Sequence, residues 1–462
     1  MDYAGKNITV IGAARTGLAV AEVMTDLGAN VHIFDNKPAE ELTDAIATAD
    51  SLGVRVTASA DKIDLNGVDL IVPSPGVPAD LSALQEANKR GIEIISEIEL
   101  AYRISKAPIV AITGTNGKTT TTVMTERMLE AAGYDTYIAG NIAANDIEMP
   151  LVRAAYQAAA KSVIVAELSS FQLELIKDFR PKVAMLLNIS KDHMDRHVTM
   201  DNYIAAKTRI FENQTADDFA VINADNPITA ALATSLKANV LQFSIKSEVE
   251  EGAFLQGDKL VLRFQGNQTT ICQASDIPLP GAHNIENTLA AICAAAVFAG
   301  PDFDKVRDAI RAFEPVPHRM EPVASINDVL YINNSMCTNV VAVVRSIEAT
   351  ERPQIIISGG KLKGKADDFS PIGDAYKRKA KHVILIGADA QTLRQAAQNA
   401  GFDAITMASS MPDAVQIASR LAEPGDVVVL SPGMASFDMF RDFQHRGKEF
   451  EQAVRELERE QT

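Results

Sequence analysis

The decapeptide Ala111-Ile-Thr-Gly-Thr-Asn-Gly-Lys-Thr-Thr120 carries the residue types that hold a polyphosphate. Gly114 and Gly117 permit a backbone approach that a Cβ would block. Successive backbone N–H groups across Thr115, Asn116 and Gly117 then point, with the N-terminus of a following helix, at phosphate oxygens. Lys118 supplies a point charge, Thr119 a hydroxyl for Mg²⁺, and Thr120 extends the same first turn. The strict phosphate-loop spacing asks for glycine where Ile112 stands, so the loop is a variant. A chance Gly-Lys-Thr is common. One set between an apolar strand over 108–112 and a helix over 119–132 is not, and it predicts a nucleoside-triphosphate site.

Further positions could serve the same chemistry. Glu167 directly follows the apolar run Ser162–Ala166, where a carboxylate beside a phosphate loop ligates Mg²⁺; a solvated or capping acid is the plainer reading. The loop Asn188-Ile-Ser-Lys-Asp-His-Met-Asp-Arg-His197 offers His193 as a metal ligand, although a lone histidine in a polar loop is more often solvated. Lys207 lies in an amphipathic helical pattern, where lysine ordinarily faces water. Arg319, just past the proline-rich Glu314-Pro-Val-Pro317, could reach a γ-phosphate on domain closure or remain a surface arginine. Near the N-terminus, Gly12-Ala-Ala-Arg-Thr-Gly17 is an imperfect dinucleotide fingerprint, with Ala14 where the middle glycine belongs. Asp35 ends the next strand, placed to accept hydrogen bonds from a nucleotide sugar or base. Ser74-Pro-Gly-Val-Pro78 could offer N–H groups to a diphosphate or form a plain turn.

The elements that must position these residues alternate strand and helix throughout, predicting an α/β protein of parallel sheets. The pattern restarts twice, giving three expected domains: 1–105 and 317–462 Rossmann-like, and 106–316 a P-loop ATPase-type domain. Short alternating strands over 219–272 predict an antiparallel flank to the central sheet. The 462 residues carry a net charge of −16, which argues against general nucleic-acid binding, so anionic ligands must be met by local cations. Three cysteines without metal or disulfide spacing, no signal-peptide pattern and no long apolar run predict a cytoplasmic protein without membrane association.

Taken in order, these segments resemble the Mur ligase family over essentially the whole chain, in its D-glutamate-adding branch. The resemblance rests on the Thr113–Thr120 loop, Ser74–Pro78, Glu167-Leu-Ser-Ser-Phe-Gln-Leu-Glu174 and Asp192–His197. It continues through Ala205–Ile210, Gly281-Ala-His-Asn-Ile-Glu-Asn287, Pro317-His-Arg319 and Ser431-Pro-Gly-Met-Ala-Ser436. It implies an ATP-dependent amide ligase that joins D-glutamate to UDP-N-acetylmuramoyl-L-alanine through an acyl phosphate, with two Mg²⁺ ions and a monomeric chain. On that resemblance Thr16, Asp35 and Asn36 face the uracil, Ser74 and Gly76 the diphosphate, and Asn141 the reacting end of the UDP substrate. Lys118 holds phosphates, with Thr119 and Glu167 near one Mg²⁺ and His193 near the second; Lys207 matches a lysine that is carbamylated into a metal ligand. Asn284 and Asn287 flank the adenine, Arg319 touches ATP and Asn334 lies near the ribose, while Thr338, Ser436 and Phe443 line the amino-acid site.

The chain departs from the family pattern at Asn334-Ser-Met-Cys-Thr-Asn339, where Asp-Ser-Lys-Ala-Thr-Asn is usual. Losing a buried charge-assisted hydrogen bond by placing Met336 for lysine would cost about 1.5–3 kcal/mol unless replaced. Gly140-Asn-Ile-Ala143 has alanine where the family prefers glycine, and Lys361 stands where an Asp is common; Lys361 or Lys363 is a candidate replacement cation. Competing readings are a ligase with another incoming amino acid, such as L-glutamate, or another acceptor, and a nucleotide-binding regulator that has lost ligation. A dehydrogenase is the weakest of them.

Overall fold

In the computed structural model, residues 2–60, 62–78, 81–142, 149–300, 303–348, 350, 352–362 and 368–461 are described. Among them the chain forms three sheets and clusters into two compact units. The first unit comprises Met1–Ile189, Asp201–Cys272 and Thr288–Ala309; the second comprises Ser190–Met200, Gln273–Asn287 and Ile310–Thr462.

The first unit holds two sheets. Apolar runs such as Asn7–Ile11 and Leu70–Pro73 are buried almost end to end, as strands covered on both faces must be. They build an all-parallel five-stranded sheet in the order Arg55–Thr57, Asn30–Phe34, Asn7–Ile11, Leu70–Pro73, Glu93–Ile94. The chain reverses its direction of growth between Asn7–Ile11 and Leu70–Pro73, which opens a crevice at their C-terminal ends. In the second sheet the central strand Ile109–Thr113 lies between Val183–Leu186 and Val163–Glu167, all parallel and fully buried. The phosphate loop therefore leaves the sheet between the ends of two neighbours. On the far side, Phe219–Asn223, Asn239–Ser244 and Gly252–Gln256 continue the parallel pairing. The expected antiparallel character begins only where Gly252–Gln256 turns back as Lys259–Phe264.

The third sheet lies in the second unit, in the order Glu321–Ile326, Val329–Asn333, Val427–Gly433, Gln354–Gly359, Ala380–Ile386, Ile405–Met407. Its first pair is an antiparallel hairpin turned by Asn327 and Asp328 at φ +52° and +62°; the later pairings are parallel. Loops after Val329–Asn333, Gln354–Gly359 and Val427–Gly433 thus emerge side by side.

Candidate active site

The phosphate loop is shaped by Asn188, which follows the neighbouring strand. The Asn188 main-chain oxygen accepts the Thr115 N–H (2.9 Å) and Oδ1 accepts the Asn116 N–H (2.9 Å), while Nδ2 donates to Asn116 O (3.0 Å). Two N–H groups of the loop are thereby engaged, and the phosphate cradle falls to the turn that starts at Gly117. Gly117 enters the helix Lys118–Ala131 at φ +86°, a conformation that favours glycine, and the positive end of the helix dipole lies at this turn.

Lys118 Nζ curls back over the loop to donate to Gly114 O and Thr115 O, each at 3.0 Å. Lys207 is buried to 2% exposure, so the plainer reading of a solvated helix face does not hold. Its Nζ donates to Gly114 O (2.9 Å) and Thr113 Oγ1 (3.2 Å) and lies 5.0 Å from the Tyr203 ring centroid. Two ammonium groups thus converge on one carbonyl oxygen. Thr119 Oγ1 donates to Glu167 Oε2 at 2.7 Å, with both side chains buried. A hydroxyl and a carboxylate side by side are the hard oxygen donors that Mg²⁺ selects, so these residues fit the ion. Thr120 is buried in the same turn, and the Asn141 N–H donates to Glu167 O at 2.8 Å, which sets Asn141 beside the metal-type pair.

A second site opens at the crevice of the first sheet. A cavity of about 920 Å³ is lined there by Thr16, Asp35, Asn36, Ser74 and Gly76, all five of the residues expected to meet a UDP moiety. The Asp35 carboxylate accepts the N–H groups of Ala13 (2.7 Å) and Lys37 (2.9 Å), so it orders the glycine turn as well as facing the cavity. Arg15, Lys37, Lys62, Lys89 and Arg90 add cations to the lining, which local charge demands in so acidic a chain.

The remaining candidates belong to the second unit. Asn287 Nδ2 donates to Asn284 Oδ1 (3.2 Å) and Asn284 Nδ2 to Pro280 O (2.7 Å), with both side chains buried. Between them Glu286 lies 3.7 Å from Arg345. Burial, reinforced by the positive charges of Arg345 and Arg319, pushes His283 down to about 4. His193 adopts φ +54° with its ring Nε2 3.8 Å from Asp192 Oδ2. Asn334 Oδ1 accepts the Met320 N–H (3.2 Å), and an Arg319 Nη2 rests 2.8 Å from Met336 Sδ, so methionine packs against the guanidinium. Ser335 Oγ donates to Phe443 O (2.7 Å). Ser436 is buried and Thr338 half-buried. Lys361 pairs through its backbone with Ala435, which brings it next to Ser436; Lys363 and Ala143 lie outside the described residues.

Three residues were missed by sequence reasoning. Asn188 entered it only as the start of a polar loop, and Tyr203, whose hydroxyl lies 3.1 Å from Thr115 Oγ1, only as part of a helix. Arg446, 1% exposed, donates to Ser335 Oγ (3.0 Å), Ser335 O (2.8 Å) and Met434 O (3.1 Å), and so ties two candidate loops together. Burial holds its guanidinium down to about 10. In the sequence an arginine at a helical position reads as solvent-facing, so only packing could reveal it.

Comparison with known proteins accounts for nearly the whole chain. The pattern of the Mur ligase MurD-like N-terminal domain matches residues 6–96, that of the Mur ligase middle domain 112–295, and that of the Mur ligase glutamate ligase domain 318–434. A UDP-N-acetylmuramoylalanine–D-glutamate ligase of Pelotomaculum thermopropionicum is 41% identical, with 99% of each chain covered. One of Geotalea daltonii is 43% identical, again with 99% of each covered. In fold the chain is similar to the UDP-N-acetylmuramate–alanine ligase of Thermotoga maritima (TM-score 0.61, 18% identity, 98% of this chain and 99% of that one). It is also similar to a pseudomurein peptide ligase of Methanothermus fervidus (TM-score 0.59, 21% identity, 98% and 100%).

Proposed function

The chain belongs to the Mur ligase family, and from that premise we infer that it is an ATP-dependent amide ligase that adds D-glutamate to UDP-N-acetylmuramoyl-L-alanine in peptidoglycan precursor synthesis. The observation that carries this reading is the convergence of Lys118 and Lys207 on Gly114 O beside the Thr119–Glu167 pair. A cation at the mouth of a helix N-terminus calls for a polyanion, and a second lysine buried beside the hydroxyl–carboxylate pair is placed to become a metal ligand as its carbamate.

In this reading the functional domains are 1–105, 106–316 and 317–462. The cavity of the first holds the UDP part of the acceptor, with Thr16, Asp35 and Asn36 at the base and Ser74 and Gly76 at the diphosphate. Asn141 orients the acceptor's carboxylate. Lys118 and the first turn from Gly117 bind the β- and γ-phosphates, and Asn284, Asn287, Arg319 and Asn334 add contacts to the nucleotide. Thr119, Glu167, His193 and Lys207 are the residues that would hold Mg²⁺, Lys207 as its carbamate, and the ions would supply charge neutralisation at the transferred phosphoryl group. The acceptor carboxylate attacks the γ-phosphorus in line, giving an acyl phosphate and ADP while Lys118 stabilises the charge on the phosphoryl oxygens. The amine of the amino acid, held by Thr338, Ser436 and Phe443, then attacks the activated carbonyl and phosphate departs. Water must be excluded during this interval, because it hydrolyses the acyl phosphate.

The test is phosphate release from ATP with UDP-N-acetylmuramoyl-L-alanine across a panel of amino acids. Release with D-glutamate is expected. Met336, seated on Arg319 where the family carries lysine, favours one specific alternative, and release with L-glutamate alone would move the assignment to it. Lys118→Ala is expected to lower ADP formation by at least ~10²–10³-fold, the usual loss when one preorganised charge-stabilising donor is removed. Robust turnover in that variant would overturn the role given to the loop.

A further inference from the structure

Arg319 sits between two non-glycine residues held in the left-handed region, His318 at φ +61° and Met320 at φ +49°. Side chains with a Cβ adopt this conformation rarely, and two such residues flanking one arginine persist only where the surroundings over-determine them. Here each of the three residues is pinned separately. The His318 N–H donates to Glu321 Oε2 (2.7 Å), the Arg319 N–H to Val316 O (3.1 Å) and the Met320 N–H to Asn334 Oδ1 (3.2 Å). The His318 carbonyl in turn accepts the Met336 N–H (3.1 Å).

The His318 ring is fixed from the other side. Asn333 Nδ2 lies 2.8 Å from His318 Nδ1 and donates to Glu451 Oε1 (2.6 Å), while Asn333 Oδ1 accepts the Ser335 N–H (3.1 Å). That last bond sets which end of the amide faces the ring. His318, Glu321 and Glu451 bring their ligand atoms within 4.8 Å of one another, a spacing that could hold a metal ion. The Asn333 amide nitrogen, however, is already within hydrogen-bond distance of both His318 Nδ1 and Glu451 Oε1, so two of the three groups have a protein partner. Gly447 completes the enclosure, since a Cβ there would stand 2.4 Å from His318 Nδ1. The helix Phe443–Gln461 therefore gives the ring its seat at the one residue without a side chain.

We propose that Asn333 and Glu451, acting through His318, are positioning residues for Arg319: they lock the left-handed turn so that the guanidinium is ordered before nucleotide arrives. This rests on the reading of Arg319 as a nucleotide-binding cation. A preordered cation raises affinity because less conformational freedom is lost on binding. Arg319 is the group the clamp orders, and it is assigned to the nucleotide, so loss of the clamp is expected to show chiefly in the nucleotide.

The experiment measures kcat and the separate KM values for ATP and D-glutamate in Glu451→Ala, Glu451→Gln, Gly447→Ala and Arg319→Ala, each below its own thermal midpoint. Glu451→Ala is expected to raise KM for ATP at least tenfold and to leave that for D-glutamate within twofold. Glu451→Gln keeps an acceptor for Asn333 and is expected to return within threefold of the parent. Gly447→Ala favours the helix yet crowds the ring, and is expected to behave as Glu451→Ala does. The proposal is overturned if Glu451→Ala moves both KM values equally, or moves neither while Arg319→Ala raises that for ATP. An Arg319→Ala enzyme with unchanged KM for ATP removes the role of Arg319 itself, and the clamp with it.

Discussion

The carbonyl of Gly114 receives hydrogen bonds from two lysines, and that geometry has an electrostatic consequence. Two ammonium groups bonded to one oxygen lie within about 6 Å of each other, and at that distance they repel by about 3 kcal/mol at an effective dielectric near 20. A bound polyphosphate, or conversion of Lys207 to a carbamate, relieves that repulsion. Lys207 could not be read in this way from sequence, because only the packing of Tyr203 and the loop shows that its helix turns it inward. His283 shows the reverse case, a base kept neutral by its surroundings. Its folded value, about 4, lies below the ordinary histidine value of 6.5, so its contribution to stability is present above 6.5 and is lost as pH falls toward 4. Replacing it with Gln is expected to remove that acid sensitivity. Between pH 7 and 4.5 the variant should lose less stability than the parent by about 1–2 kcal/mol, a figure reduced for the ring's remaining exposure. Urea titrations at the two pH values check this, and parallel losses in both proteins would mean that the ring is solvated.

At the scale of elements, the helix Glu97–Ile104 of the first sheet packs on the helix Leu151–Gln157 of the second through a carboxyl group. Glu97, 2% exposed, accepts the Val152 N–H, and burial pushes its carboxyl up to about 7. A carboxyl whose folded value is raised loses stability as pH climbs from its unfolded value, 4.5, to about 7, because the unfolded chain ionises first. Glu97→Gln is therefore expected to match the parent below pH 4.5 and to exceed it by about 3 kcal/mol above pH 7. A constant difference at every pH would show that the effect is one of packing. This latch was illegible in the sequence, since acids in the first turn of a helix ordinarily face water and favour the dipole. The strand Ile109–Thr113 was legible because an unbroken apolar run followed by a glycine loop admits few alternatives. The hairpin Glu321–Asn333 was not, because its turn, Asn327-Asp328, lacks the glycine that usually marks one.

Across the whole molecule the same interface joins the two sheets of the first unit. Glu99, with no exposed surface, accepts the N–H groups of Lys177 (2.8 Å), Asp178 (3.0 Å) and Phe179 (2.8 Å). It also binds Arg103 Nε at 2.8 Å, and Arg153 pairs with Glu22 across the same seam. Removing one partner from such a buried, fully engaged carboxylate costs several kcal/mol, so the two sheets are expected to unfold together although their ligands differ. The three repeated α/β blocks in the sequence suggest the opposite, independent domains, because periodicity reports each sheet's own core and not the polar contacts that join two cores. Calorimetry with UDP alone and with ADP alone separates the two views. On the proposed reading the cavity that would take UDP is lined by residues of the first sheet, and the loop that would take ADP's phosphates belongs to the second. Each ligand at a hundredfold excess over its dissociation constant adds about 2.7 kcal/mol to the state that binds it. With the latch intact both are expected to raise the same transition. In Glu99→Ala, UDP is expected to raise one transition and ADP another. Two separately shifted transitions in the parent protein would show that the seam is contact without coupling, and the first sheet would then be a domain in its own right.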